Sequence, residues 1–449
     1  MKKKTGSFIL FLSKSILFFG MLAIFFIGFE YFYEDILPFY FWGNNILLML
    51  YAGILYLISR IYNGFNFGNL RLQEIVLSWG LCLIIANVFQ YFIFSLTVLD
   101  MLPVGGFILI LLAQIVFIIP MSIYINALYY RQNPAEKAAI IYGKKDKLDE
   151  YCSIITRQRN KFKVDHIIPE DAETGRLLDI VDRAESIFFL DVDVKIQDWL
   201  FEYCYLHNKH TYMIPTFSNI LINTANTMWF SNTPMFSLKK PNPDMGTQII
   251  KRLMDIFISL TVIILLSWLM LGVWFIVRFY DNYPAIYKQK RITRGGREFT
   301  LYKFRSMYRN AEDDGVPRLT SKDDDRITPF GRFIRKTRID ELPQMFNVLS
   351  GSMSIVGPRP ERPEIAKQYE EIYPNFAFRT KVKAGITGLA QIYGQYNTAP
   401  EEKLFLDIMY IETFSILEDM KLMLQTLRVI FQGSSTEGVI GGGSTALWK

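Results

Sequence analysis

The sequence predicts a membrane protein in three parts: four apolar helices, then a small α/β region with a parallel sheet, then a polar region entered through one more apolar helix. Three observations carry that reading. The 449 residues are 51% hydrophobic and 15% aromatic, more than a soluble chain of this length needs. Apolar runs near Phe8 to Ile27, Ile46 to Ile61, Ile75 to Leu99 and Gly105 to Tyr129 approach the roughly 20 residues that cross a bilayer, the second being the shortest. From Ala138 onward, short β-rich runs alternate with helical ones.

Charge orients the first four helices. Lys2, Lys3 and Lys4 precede the first run, and the loop after it carries Glu30, Glu34 and Asp35 with no Lys or Arg. The next loop contains Arg60 and Arg71, the third only Asp100, and the chain leaves the fourth run through Arg131 and Lys137. The positive-inside rule therefore keeps the amino terminus and the following region in the cytoplasm. Phe29, Tyr31 and Phe32 stand where a signal-peptide cleavage site needs small residues, so the first run is expected to remain. Cys82, Cys152 and Cys204 match no metal or redox spacing, which fits a reducing compartment. The net charge of +6 is modest, but the basic residues gather on polar segments. That points to anionic lipid or phosphorylated substrates rather than nucleic acid.

The second region supplies its strands as AAIIYG from Ala138, KVDHIIP from Lys163, SIFFLDV from Ser186 and TYMIP from Thr211. Gly143 is followed by Lys144 and Lys145 without the further glycines of a dinucleotide fingerprint, so no such cofactor is expected there. His166, His207 and His210 lack a metal-ligand pattern and read as structural or surface residues. Thr233 to Thr247 reads as the linker out.

Ile256 to Val277 is uncharged and, at about 22 residues, long enough for a fifth span. Yet Lys251 and Arg252 precede it, and Arg278 and Lys288 to Arg291 follow it. Basic flanks at both ends predict a re-entrant or deeply inserted helix instead of a crossing. Gly295-Gly296 then reads as a hairpin turn into a strand bearing Lys303 and Arg305, with Arg309 just after. Lys322, Arg326, Arg332, Arg335, Lys336 and Arg338 follow, interrupted by Asp323 to Asp325. A solvated face accounts for about half of these cations; the others can neutralise a diphosphate.

The acidic pair Asp340-Glu341 comes next. Pro343 is tolerated only in a helix's first turn, which places the pair where that helix starts, among free N–H groups. Adjacent helical residues point about 100° apart, so the two acids are free to do different work. Capping by exposed acids is the bland reading, and it explains neither the surrounding cations nor the turn Gly357-Pro358-Arg359-Pro360. Two prolines make that turn rigid enough to hold Arg359 for an anion. Glu402 to Ser415 and Leu417 to Phe431 show helical apolar spacing, and the Gly-Ser-rich tail beyond Gln432 reads as flexible.

With these residues in view, the chain resembles the bacterial sugar transferases, the polyprenyl-phosphate hexose-1-phosphate transferases that initiate exopolysaccharide, capsule or O-antigen synthesis. It is similar to their large monotopic phosphoglycosyl transferase form. The matching motifs are KR-x-x-D at Lys251 to Asp255, YKFRSM at Tyr302 to Met307, RIDELPQ at Arg338 to Gln344, SIVGPRPE at Ser354 to Glu361 and GITGLAQ at Gly385 to Gln391. The resemblance implies a four-helix transmembrane domain over 1–132, a Rossmann-like α/β domain over 133–240, and an α+β catalytic domain over 247–449 with a re-entrant helix near 250–280.

It also implies chemistry. Asp340 would attack the β-phosphate of a UDP-sugar, UDP-glucose or UDP-galactose first among candidates, and Glu341 would hold Mg²⁺. Undecaprenyl phosphate would take the sugar phosphate at the cytoplasmic face of the bacterial inner membrane. Lys251, Arg252, Asp255, Lys303, Arg305, Arg338, Gln344, Pro358, Arg359 and Pro360 are the expected substrate-binding set, with membrane lipids as partners and a homodimer left open. Two departures stand out. The family's re-entrant helix commonly breaks at Ser-Pro, whereas Ser267 precedes Trp268 and no proline lies between Asp255 and Val277. Ala384 replaces the usual proline before GITGLAQ. A catalytically idle scaffold or regulator of polysaccharide assembly is the alternative reading; the intact acidic pair speaks against it. A polytopic transporter is disfavoured by the scarcity of charges within the spans, Lys14 and Glu74 being the main ones.

Overall fold

In a computed structural model of the chain, residues 2–36, 42–145, 148–238, 244–281, 284–308, 324–394 and 399–432 are described. Arg309, Lys322, Asp323 and the tail beyond 432 lie outside them. The chain divides into two compact units, residues 1–215 and 216–449.

The first unit opens with four helices, α1 (Lys2–Tyr33), α2 (Gly43–Ile61), α3 (Leu72–Val98) and α4 (Val104–Gln132). Those numbered 1, 3 and 4 are long and apolar enough to cross a membrane, while α2 is shorter. One polar knot ties all four together. Gln114 of α4 donates to the Met21 carbonyl of α1 (3.1 Å) and the Tyr51 hydroxyl of α2 (3.0 Å), and accepts from Asn87 of α3 (2.9 Å). In an apolar medium, where helices gain nothing from hiding hydrocarbon, such bonds and close packing hold a bundle. Glu74, one of the few charges near a span, accepts from the Arg71 backbone N–H and caps α3.

The sheet region follows as β1 (Glu136–Tyr142), α5 (Leu148–Thr156), β2 (Phe162–Pro169), α6 (Thr174–Arg183), β3 (Ser186–Leu190), α7 (Val194–Leu206) and β4 (His210–Met213). All pairings are parallel, in the order β2-β1-β3-β4. The central strands bury both faces: Ala139, Ile141, Ile187 and Phe189 point to one core, and Ala138, Ile140, Phe188 and Leu190 to another. Burial on both sides is why they read as unbroken apolar runs. His207 contacts the Tyr203 carbonyl and His210 the Glu136 carboxylate, so both have local partners.

The second unit begins with α8 (Phe217–Asn223), which packs Ile220 against Ala366, Phe376 and Leu404. The division between the two units falls between Pro215 and Thr216, just ahead of α8. Next come β5 (Asn226–Phe230) and β6 (Thr233–Ser237), an antiparallel hairpin. The first part of the expected linker is therefore a strand, because the left-handed Ser231 (φ 55°) folds the chain back on itself.

The long helix α9 (Met245–Asp281) runs without a break, as a segment free of proline should. β7 (Ile286–Ile292) and β8 (Glu298–Phe304) pair antiparallel across Gly295 and Gly296, both at φ near +70° (71° and 72°), where glycine alone is unstrained. Then follow α10 (Pro329–Lys336), α11 (Gln344–Ser350), β9 (Ser354–Val356), α12 (Pro363–Ile372), β10 (Gly385–Thr387), α13 (Leu389–Tyr393), α14 (Pro400–Glu412) and α15 (Ile416–Gln432). β9 and β10 pair in parallel. Leu301, Val348, Met353, Ile355, Tyr410 and Leu422 form the core beneath them.

Candidate active site

The acidic pair owes its place to one backbone departure. Thr328 caps α10 by accepting from the Gly331 N–H (2.8 Å), with Pro329 in the first turn. The helix stops before Arg338, which adopts a left-handed conformation (φ 56°) although it is not glycine. Such a residue costs roughly 1 kcal/mol or more. It swings the chain into a 3-10 turn, Ile339–Glu341, that buries both carboxyl groups. The helix carrying Pro343 at its cap begins only at Gln344. Asp340 and Glu341 therefore precede α11 on a turn of their own, and side-chain cations rather than that helix's N–H groups set their electrostatics.

Three cations converge on Glu341. Its Oε1 lies 2.8 Å from Arg359 Nη2 and 3.2 Å from Lys303 Nζ, and its Oε2 lies 3.7 Å from Arg338 Nη1. Burial alone would raise the Glu341 pKa, but the opposing charges of Arg359, Lys303 and Arg338 outweigh it and hold the carboxyl well below its ordinary range. Asp340 is different. Burial pushes it up to about 6; Lys303 opposes the rise and the Glu341 charge adds to it. No hydrogen bond or ion pair from the described residues reaches the Asp340 carboxylate. One acid is thus clamped, and its buried neighbour has no hydrogen-bond or ion-pair partner among the described residues.

Each cation is positioned in turn. Asn347 of α11 accepts from the Tyr302 N–H (3.0 Å) and donates to the Thr300 carbonyl (2.8 Å), fixing β8 and its Lys303 against the acidic turn. Arg359 sits on a loop held from below. Arg379 donates to the Arg359 carbonyl (3.1 Å) and pairs with Asp407 (2.7 Å), while Arg291 donates to the Pro360 carbonyl (3.0 Å). The floor of that loop is GITGLAQ. Gly357 donates to the Thr387 carbonyl (2.8 Å), and Gly385 donates to the Pro358 carbonyl (2.9 Å). A Cβ on Gly385 would fall 2.1 Å from the Gly357 nitrogen, and one on Gly388 2.3 Å from the Gly357 oxygen, so backbone meets backbone with no room for a side chain.

Of the residues expected to bind substrate, Lys303, Arg338 and Arg359 gather at Glu341, and the Pro358-to-Pro360 turn carries the third of these. Gln344 is buried at the start of α11. Arg305 lies at the end of β8 and donates to the Pro284 carbonyl (3.2 Å). Lys251, Arg252 and Asp255 engage protein groups instead of the acidic turn. Lys251 pairs with Asp419 and donates to the Val356 carbonyl; Arg252 donates to the Val348 and Leu349 carbonyls (2.6 and 2.7 Å) at the end of α11; Asp255 accepts from Ser354 and from the Ile355 N–H. This motif moors α9 to β9 and α11. Asn347, Arg379, Asp407, Tyr410 and Asp419 escaped sequence reasoning because their partners are distant in the chain. A buried Arg or Asp with no local partner was the only signal available.

A family model described as Bacterial sugar transferase matches residues 246–433. The uncharacterized sugar transferase EpsL of Bacillus subtilis is 39% identical over 184 residues, which cover 40% of this chain and 87% of that protein. The chain belongs to the bacterial sugar transferase family. Larger relatives match over less of their length. The UDP-N-acetylgalactosamine-undecaprenyl-phosphate N-acetylgalactosaminephosphotransferase of Aeromonas hydrophila is 40% identical over 41% of this chain and 44% of its own. The undecaprenyl-phosphate galactose phosphotransferase of Salmonella typhimurium is 34% identical over 53% of this chain and 52% of its own. The chain thus spans about half or less of these two, and the acidic turn with its three cations lies inside the part that defines the sugar transferases.

Proposed function

We propose that the protein transfers a hexose 1-phosphate from a UDP-sugar to undecaprenyl phosphate, the first step of a surface polysaccharide. The observation that carries this reading is the buried Asp340, without a hydrogen bond or ion pair among the described residues, beside a Glu341 clamped by Lys303, Arg338 and Arg359. An Asp340 oxygen attacks the β-phosphorus; the bond from that phosphorus to the bridging oxygen breaks, and UMP leaves with the electron pair. The aspartyl-phosphosugar is then attacked at phosphorus by an oxygen of the lipid phosphate. The Asp–phosphorus bond breaks, and the carboxylate returns. Two polyanions need never share the site. Lys303, Arg338 and Arg359 move from neutralising a carboxylate to neutralising phosphate oxygens, with arginine's planar fork suited to paired oxygens.

Mg²⁺ belongs to the same proposal. No group of three His, Cys, Asp or Glu side chains among the described residues suits a metal. A Mg²⁺ ion held by one or two carboxylates plus water and substrate phosphate fits the donors present, with Glu341, whose Oε2 has the longer contact, as its protein ligand. When bound it would spread phosphate charge that the cations alone leave uneven.

The sheet of the first unit is, on this reading, a Rossmann-like domain, and α9 a re-entrant or deeply inserted helix at the cytoplasmic face of the inner membrane. In support, α9 packs against the same unit near both ends. Asp255 bonds to β9, while Val273 and Val277 pack with Ala285, Phe304 and Ile334. Its other faces expose Phe257, Leu260, Ile264 and Trp268. Purified protein incubated with Mg²⁺, undecaprenyl phosphate and labelled UDP-glucose, UDP-galactose or UDP-N-acetylgalactosamine should yield labelled lipid and UMP. Failure with every donor would sink the reading.

A further inference from the structure

A cavity of about 270 Å³ opens beside the acidic turn, between α9, α11, β10 and α15. Its size approaches the lower end for small-molecule sites. Ile258, Met345, Ile386, Met423, Leu427 and Ile430 line most of it. Arg338 and Glu341 form part of one wall. The Thr387 and Thr426 hydroxyls, also lining it, bond to each other (2.7 Å). Gln391 remains: both polar atoms of its amide are buried, and neither has a hydrogen-bond partner among the described residues. A buried amide without partners is costly, so an incoming oxygen that accepts from it would be favoured.

We propose that this cavity receives the phosphate-proximal isoprene units of the lipid acceptor, with the lipid phosphate at the Arg338 and Glu341 wall. The inference rests on the transferase reading and goes beyond it by locating the acceptor. A sugar nucleotide is polar throughout and would leave the aliphatic walls unmatched, whereas branched hydrocarbon gains from every one of them. The two methionines are unbranched and can reshape around methyl branches. Charge complements the other end, where the three cations Arg338, Lys303 and Arg359 outnumber the two acids Asp340 and Glu341 and can take a phosphate. Ile258 belongs to α9, which exposes Leu253, Phe257 and Leu260 on its other sides.

The full-length protein in lipid nanodiscs is irradiated with a farnesyl phosphate analogue carrying a diazirine on its first isoprene unit, and adducts are mapped by mass spectrometry. Adducts on Met345, Ile386 or Met423, suppressed by undecaprenyl phosphate and not by phosphatidylglycerol, are expected. Labelling confined to Leu253, Phe257 and the outer face of α9, or suppressed equally by phosphatidylglycerol, would overturn the proposal. Filling the cavity with Thr426→Trp should raise KM for undecaprenyl phosphate by about tenfold more than KM for the UDP-sugar. Equal effects on both would count against it. Should that variant fail to fold, labelling of the unaltered protein decides alone. Labelling needs no turnover, so an inactive wild type would refute the transferase reading while the adduct map still judged the cavity.

Discussion

Two buried ionic clusters share Arg359 and are balanced in opposite ways. Its side chain pairs with Glu341, which Lys303 and Arg338 also flank; its carbonyl accepts from Arg379, which pairs with Asp407 at 2.7 Å and reaches Glu361 at 3.4 Å. Burial pushes both Asp340 and Asp407 up to about 6. The difference lies in partners. Asp407 takes two contacts from Arg379, at 2.9 and 2.7 Å, whereas Asp340 takes none from the described residues. A raised acid is therefore no mark of a nucleophile by itself. A raised acid left unengaged among cations that serve its neighbour is a reactive arrangement, and the saturated one is a fastener.

The sharpest way to break this contrast is to neutralise each aspartate without changing its shape. Asp340→Asn should lower transfer by about a thousandfold or more, read as UMP release. It should also melt higher at pH 8, by roughly 1–3 kcal/mol, since a buried acid shifted by about two units disfavours the folded state once ionised. Asp407→Asn should melt lower by about 1–3 kcal/mol, because it leaves the buried Arg379 charge with only its longer contact to Glu361. If both variants shifted stability in the same direction, the distinction between the clusters would fail.

Glu341→Gln should destabilise by roughly 3 kcal/mol in chemical or thermal unfolding, as Lys303 and Arg359 lose the charge they surround. Arg379→Met isolates the fastening cluster's effect on the loop. A stability loss of about 3 kcal/mol is expected, together with a raised KM for the UDP-sugar, because the Arg359 carbonyl loses its donor. A variant that melted lower while binding substrate normally would show that the clamp does not position Arg359.

The smallest effect is a pH window. Asp340 holds its proton more tightly folded, up to about 6, than at its ordinary 3.8, so between those values the folded chain carries the extra proton and stability falls as pH rises. Glu341 runs the other way: its contribution is present above its ordinary 4.5 and is lost as pH falls toward its depressed folded value. The difference in melting temperature between Asp340→Asn and the parent should therefore grow from near zero at about pH 4 to its full size above about pH 6. A constant difference across that range would assign the Asp340 effect to something other than its proton.

Much of this was legible from residues near one another in sequence. The apolar runs become α1 to α4, the four β-rich runs become one parallel sheet, and Gly295-Gly296 turns the hairpin where expected. Lys303, Arg338 and Arg359 could be named because they stand in the motifs YKFRSM, RIDELPQ and SIVGPRPE that carry the resemblance. What stayed hidden was which donors protein oxygens would occupy. Lys251 and Arg252 look no different in sequence from phosphate ligands, yet they meet carbonyls about a hundred residues away, at Val356 and Val348. The acidic turn's separation from α11 was likewise invisible, since a left-handed arginine has no sequence signature.

The contact of Gly357 with Gly385 and Gly388 limits how the turn bearing Arg359 can move. Where peptide planes touch directly there is nothing compressible between them, and the turn bearing Arg359 cannot sink or drift sideways. Whatever travel the guanidinium makes away from Glu341 must come from rotation about its own side-chain bonds. The anchor stays still while the arm turns, so donor and acceptor would be measured against the same fixed origin.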